Sequence, residues 1–196
     1  MTKYLRPILI GLAVGFAVSF SLGLLMGAAH IEDNWTPMWT GAFIGCAVAF
    51  MLANLAGNRK VDNASAAERA EALKLEPPAG KALLVVYRKG YVGKAVGLNL
   101  SVDGKVVAQL KAPRFTVVAV APGPHAVTAA FGGLAGGNTP AEHALEAVAG
   151  GVTVLRAGLS MGMIKNTVTF TPQDDLAAVK ARLAKVTMVS AEAAAA

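Results

Sequence analysis

Two uncharged apolar runs near the N-terminus constrain this chain more than any other feature. Residues 7–29 and 36–57 contain no Asp, Glu, Lys or Arg over 23 and 22 residues respectively. A helix needs about 20 residues to cross a hydrocarbon core roughly 30 Å thick, and a charge at its middle costs about 2.5–3.5 kcal/mol on insertion scales. Both runs have the length and avoid the cost, so the sequence predicts two transmembrane helices. Composition agrees, because 55% of the 196 residues are hydrophobic and only 15% charged, a skew associated with membrane chains. The competing reading of the first run is a cleaved signal peptide, with Gly27-Ala28-Ala29 as the small residues of a cleavage site. Signal cores span only about 7–15 residues, and this run is longer.

Flanking charge sets the expected orientation. Lys3 and Arg6 precede the first run, Glu32 and Asp33 occupy the connection without any Lys or Arg, and Arg59 and Lys60 follow the second run. The positive-inside rule then puts both termini in the cytoplasm. Trp35, Met38 and Trp39 fit an interfacial belt at the start of the second helix. The one cysteine, Cys46, lies mid-span and is expected to pack there. It excludes an intrachain disulfide, and no Leu stands three residues before it to make an acylation site.

Each run carries a stripe of small residues at spacing four. The first holds Gly11, Gly15, Ser19, Gly23 and Gly27, and the second Gly41, Gly45, Ala49, Ala53 and Gly57. In lipid, helices associate through close backbone approach, which small-xxx-small stripes permit. The stripes therefore predict an antiparallel hairpin, and leave open whether the contact lies within one chain or between chains of a homo-oligomer. No ionisable residue lies inside either span, which argues against an ion path or transport site built from these helices.

Beyond residue 57 the pattern changes. Residues 58–80 read as a linker with a short helix over 64–75, capped by Asn63 or Ser65 and broken by Glu76-Pro77-Pro78-Ala79-Gly80. Leu98, Leu100 and Val102 then alternate with Asn99, Ser101 and Asp103, and Asp103-Gly104 turns the chain into a second strand over 105–110. Further strands are expected at 81–88, 115–121, 125–131, 152–159 and 166–170, and a strand is preferred to a helix over 143–148. Short strands with frequent turns predict an antiparallel sandwich, taken as an up-and-down meander. Thr171 as cap, Pro172 at the first helical position and Asp174 and Asp175 in the first turn predict a C-terminal helix with Leu176, Val179 and Leu183 on one face. The expected fold is thus a transmembrane hairpin over 1–57, a linker, a mainly-β antiparallel sandwich with a C-terminal α-helix over 81–190, and a tail over 191–196.

The run Gly80-Lys81-Ala82-Leu83-Leu84-Val85-Val86-Tyr87-Arg88, followed by residues 98–104, 115–120 and Pro122-Gly123-Pro124-His125, resembles a bacterial domain-of-unknown-function family of small membrane-tethered or lipoprotein-like β-sandwich domains. The resemblance covers about residues 79–189. It implies a sandwich fold, a bacterial membrane setting and no catalytic motif. Members of that family are often exported lipoproteins, whereas the charges of this chain place its domain on the inner side of the plasma membrane.

No residue pattern announces chemistry. His125, His143, Glu142, Asp103, Asp174 and Asp175 are the candidates for acid, base or ligand roles, and none has metal-ligand or nucleophile spacing. Gly132-Gly133-Leu134-Ala135-Gly136-Gly137 lacks the Lys-Ser or Lys-Thr of a phosphate loop and reads as a flexible loop. No enzyme activity, cofactor, metal or small-molecule substrate is therefore expected. From residue 81 onward twelve Lys and Arg face six Asp and Glu, so all of the formal +6 lies there. Arg88, Lys89, Lys94, Lys111 and Arg114 would gather at one end of the meander as a basic rim. With no aromatics interleaved for stacking, nucleic acid is a poor fit; an anionic leaflet or an acidic protein fits better. The expected function is a non-enzymatic, membrane-anchored interaction module, and the alternative a structural subunit assembled through the glycine-rich helices.

Overall fold

The two apolar runs form helices α1 (Thr2–Ala28) and α2 (Trp35–Leu55) in this computed structural model, which describes residues 2–33, 35–91, 93–132, 139–160 and 167–192. Between them the chain turns tightly. His30 adopts a left-handed φ of 56° while the Ile31 N–H reaches back to the Met26 carbonyl, closing α1 with a Schellman cap. Asp33 opens α2 by accepting from the backbone N–H groups of Trp35 (2.9 Å) and Thr36 (3.1 Å) and from the Thr36 hydroxyl. Those bonds, the hydroxyl's foremost, hold its carboxyl below the usual range. The chain divides into two compact units between Gly57 and Asn58.

The second unit is a sandwich of two sheets. Its strands are β1 (Ala82–Arg88), β2 (Leu98–Val102), β3 (Lys105–Leu110), β4 (Arg114–Val120), β5 (Gly123–Phe131), β6 (Ala141–Ala147), β7 (Val152–Ser160), β8 (Thr167–Pro172) and β9 (Thr187–Met188). One sheet has the order β8-β7-β1-β4-β9 and the other β3-β2-β5-β6. Leu84 and Val86 of the first sheet meet Leu100, Val107 and Val127 of the second in the main core. On the opposite face of β1, Leu83, Val85 and Tyr87 join Phe115, Val154 and helix α4 (Leu176–Leu183), which inserts Val179 and Leu183.

Two pairings correct the up-and-down meander. β1 runs parallel to β7 and antiparallel to β4, and β9 runs parallel to β4. The reason is written in β1 itself: all seven of its residues are buried, a strand covered on both faces, and such strands occupy sheet interiors. The C-terminal helix also starts later than Thr171 and Pro172 suggest. Both residues complete β8, paired with Arg156 and Leu155. Asp175 is the cap, accepting from the Ala178 N–H at 2.9 Å. β8 is an edge strand, where a proline's missing N–H costs no ladder bond.

Residues 58–80 are part of the sandwich rather than a spacer. Ser65 caps α3 (Ala66–Ala72), shorter than expected, and Ala64, Ala72, Leu73 and Leu75 pack on the second core cluster. Arg69 then donates to the carbonyls of Ala184 (2.6 Å) and Val186 (3.3 Å) just past the end of α4, which ties α3 to the C-terminal segment. That segment returns as an edge strand: Val189 is fully buried and its N–H bonds the Phe115 carbonyl at 2.8 Å. Ala191 packs on the main core and the Glu192 N–H bonds Val107, so the presumed tail begins as packed structure. Residues 133–138, in the glycine-rich loop, and Asn166, the expected start of a strand, lie outside the described residues.

Candidate functional site

The glycine stripes bring α1 and α2 together backbone to backbone. A β-carbon on Gly11 would stand 2.5 Å from the Ala49 Cβ, one on Gly15 2.7 Å from the Gly41 carbonyl oxygen, and one on Gly45 2.6 Å from the Gly11 carbonyl oxygen. Ser19 sits against Gly41 and donates its hydroxyl to the Pro37 carbonyl at 3.0 Å. Gly23 and Gly27 have nothing within 4 Å of such a β-carbon, so the upper part of the first stripe is outside this seam. Ala53 is buried, and Gly57 lies past the end of α2. Pro7 and Pro37 are also buried. Each stands four residues before the first glycine of its stripe, a spacing that would have identified them in the sequence.

Large side chains face outward from this pair. Phe16, Phe20, Phe43 and Phe50 are all more than half exposed, and only 11% and 22% of the most apolar windows of the two helices are buried. Cys46 is exposed as well, on the wall of an open apolar groove of about 600 Å³ that runs beside the seam; it does not pack inside the hairpin. Small residues inside and large apolar ones outside is the inverse of a water-soluble helix pair.

At one end of the sandwich the cations collect. Arg88 closes β1 opposite Arg114, and Leu110 closes β3 opposite Leu98. The loop 89–97 and the turn 111–113 therefore share that end and bring Lys89, Lys94, Lys111 and Arg114 to it. The last turn of α4 and the segment into β9 add Arg182 and Lys185, which with Tyr87, Lys89, Pro113 and Val186 line a cavity of about 430 Å³. No spacing rule links Arg182 or Lys185 to the loop, since they arrive from some ninety residues away. Tyr91, 90% exposed, stands between the two loop lysines with the Lys94 ammonium 5.8 Å from its ring centroid.

Arg88 is not on the surface of that rim. It is 3% exposed, and its guanidinium donates to the carbonyls of Val96 (2.6 Å), Gly93 (2.7 Å) and Leu110 (3.0 Å) while lying over the Phe131 ring. Burial pushes its pKa down to about 10, which leaves it protonated at neutral pH. Arg88 is thus the hub that ties Gly93 and Val96 to Leu110, and the exposed cations are its neighbours. Asn58 braces the same loop, and Arg59 the neighbouring strand β3. Asn58 donates to the Ala95 carbonyl (2.9 Å) and accepts from the Gly97 N–H (2.6 Å), and the Arg59 N–H bonds Gln109 Oε1 (2.7 Å).

Among the acid and histidine candidates, Asp103, His125 and Asp175 are occupied elsewhere. At the opposite end of the sandwich His125 Nδ1 lies 2.6 Å from Asp103 Oδ2, and its Nε2 lies 2.8 Å from the Ala121 carbonyl oxygen. Both partners are acceptors, so the arrangement favours the doubly protonated ring, in which both nitrogens donate. Asp103, foremost, and Ala121 raise its pKa, while the imidazolium and the Ala126 N–H lower that of Asp103. This pairing was not expected from the sequence, where the two residues stand 22 positions apart. The His143 and Phe170 rings meet in a T-shaped contact. Among the described residues no group of three or more His, Cys, Asp or Glu is arranged to hold a metal. No family model, curated protein or solved structure matches the chain.

Proposed function

We propose that this chain is a non-enzymatic, membrane-anchored interaction module, whose hairpin sits in the bilayer and whose sandwich offers its basic end to an anionic partner. The observation that carries the reading is the inverted packing of the hairpin, glycine against glycine inside and phenylalanine outside. That arrangement suits lipid as the surrounding solvent, because helices in lipid gain by close backbone approach and lose nothing by exposing large apolar groups. The flanking cations Lys3, Arg6, Arg59 and Lys60, against Glu32 and Asp33 in the connection, support cytoplasmic termini. A bacterial plasma membrane and kinship with membrane-tethered sandwich domains belong to the same proposal. Support for a role without catalysis comes from the candidates themselves: Asp103 and His125 serve each other, and Asp175 serves as a cap.

Use of Gly11, Gly15, Gly41 and Gly45 within one hairpin weighs against homo-oligomerisation through those four residues. Orientation is tested by thiol labelling of the full chain, with Ala144→Cys on an exposed strand position in a Cys46→Ser background. In intact cells an impermeant maleimide should leave it unmodified until the membrane is permeabilised. Labelling of intact cells would put the sandwich outside and overturn the cytoplasmic assignment.

A further inference from the structure

We infer that the partner of the basic end is the anionic surface of the bilayer that holds the hairpin, with Lys89, Tyr91 and Lys94 as its contact residues. The inference rests on the membrane reading of the hairpin and adds to it the identity of the anionic partner.

Covalent reach keeps these residues near the membrane. Asn58 is bonded to the loop through Ala95 and Gly97, and only Ala56 and Gly57 separate it from Leu55, the last residue of α2. Three residue steps extend to about 11 Å at most. Whatever angle the hairpin and the sandwich adopt, a bilayer-spanning α2 keeps this loop within headgroup range. Such tethering turns a weak surface attraction into an intramolecular one with a high effective concentration.

The side chains there suit a headgroup layer. Lys89 and Lys94 are exposed, and Tyr91 projects between them as an amphipathic ring with 90% of its surface free. Lysines neutralise lipid phosphates, and tyrosine rings settle at headgroup depth. An aromatic as exposed as this gains from entering an interface and needs no shaped pocket in a partner. The segment that carries Lys94 is held beforehand, since the three carbonyl bonds of Arg88 tie Gly93 and Val96 to Leu110. Glu192 lies 3.7 Å from Arg59 and offsets that one cation, whereas Asp103 and Glu146 line the surface around His125 at the far end of the sandwich. The end from which the chain leaves for the membrane thus presents Lys89 and Lys94 as exposed cations.

The test uses the full chain in a Cys46→Ser background, reconstituted in vesicles of phosphatidylcholine alone or mixed equally with phosphatidylglycerol. A fluorophore on Ala95→Cys reports the loop, and one on Ala144→Cys reports the far end. A headgroup-borne quencher should quench the first and not the second, more strongly with phosphatidylglycerol, and high salt should reverse the difference. Lys94→Gln should lower the ratio of membrane-bound to free loop roughly fivefold, and Tyr91→Ser should lower it too. A chain that fails to float with vesicles sinks the membrane reading itself. A chain that floats while the Ala95 probe stays unquenched in both lipids leaves the anchor standing and overturns this inference, as expected if the basic end serves an acidic protein. Equal quenching in both lipids, unmoved by Lys94→Gln, overturns it as well.

Discussion

Gly15 and Gly45 meet backbone to backbone, so that a β-carbon on Gly45 would lie 3.0 Å from the Gly15 Cα and one on Gly15 would lie 3.3 Å from the Gly45 Cα. Neither neighbour is a flexible side-chain end, and relief requires the helices themselves to separate. Gly45→Leu and Gly15→Leu should each destabilise the hairpin by about 1–3 kcal/mol, the usual cost of overpacking a closed contact. Gly23→Leu, with nothing within 4 Å of its β-carbon, should stay within about 0.5 kcal/mol of wild type. Denaturation of the full chain in detergent, followed by the fluorescence of Trp35 and Trp39 in α2, distinguishes the two positions.

Removing the Arg88 fork should loosen the loop that carries Lys89, Tyr91 and Lys94. Arg88→Met leaves three carbonyls without their charged donor, at a cost of about 3 kcal/mol on the scale of buried bonds to charged groups. Arg88→Lys should recover only part of it, because an ammonium lacks the planar fork. Urea unfolding measures the loss, and faster proteolysis within 89–97 locates it.

The His125–Asp103 pair predicts a window of pH. A histidine with a raised pKa contributes stability that is complete below its ordinary value of 6.5 and is lost as pH rises through the raised value. An aspartate with a lowered pKa contributes stability that is complete above its ordinary value of 3.8 and is lost as pH falls through the lowered value. The pair therefore contributes most between about pH 3.8 and 6.5. Because Asp103 is half exposed, the contribution should be below about 1 kcal/mol. Asp103→Asn keeps a residue suited to the φ of 51° at this turn while removing the charge. It should bring the His125 titration, followed by NMR, back toward 6.5 and flatten the fall in melting temperature above that pH.

Local signals account for most of the elements. Alternation of Leu98, Leu100 and Val102 with an Asp103-Gly104 turn locates β2 and β3 to the residue, because a hairpin is decided by contacts a few residues apart. What local patterns do not encode is the pairing of β1 with β7, nearly seventy residues on, or the return of Val189 to the core beside Phe115. The same gap appears at the basic end. Lys89 and Lys94 were visible as neighbours in sequence, whereas Arg182 and Lys185 reach that end only through the path of α4 across the sheet. Arg88 shows the limit of reading charge alone: a cation at the end of an apolar strand looks like a rim residue, and its three carbonyl partners become evident only when the loop closes over it.

Membrane anchorage by the hairpin underlies every other part of this account, and alkaline carbonate extraction of membranes from cells expressing the full chain tests it most directly. The account predicts that the protein stays in the pelleted membranes through the wash and is released only by detergent. Recovery in the carbonate supernatant would show that α1 and α2 do not span a bilayer, and would contradict it.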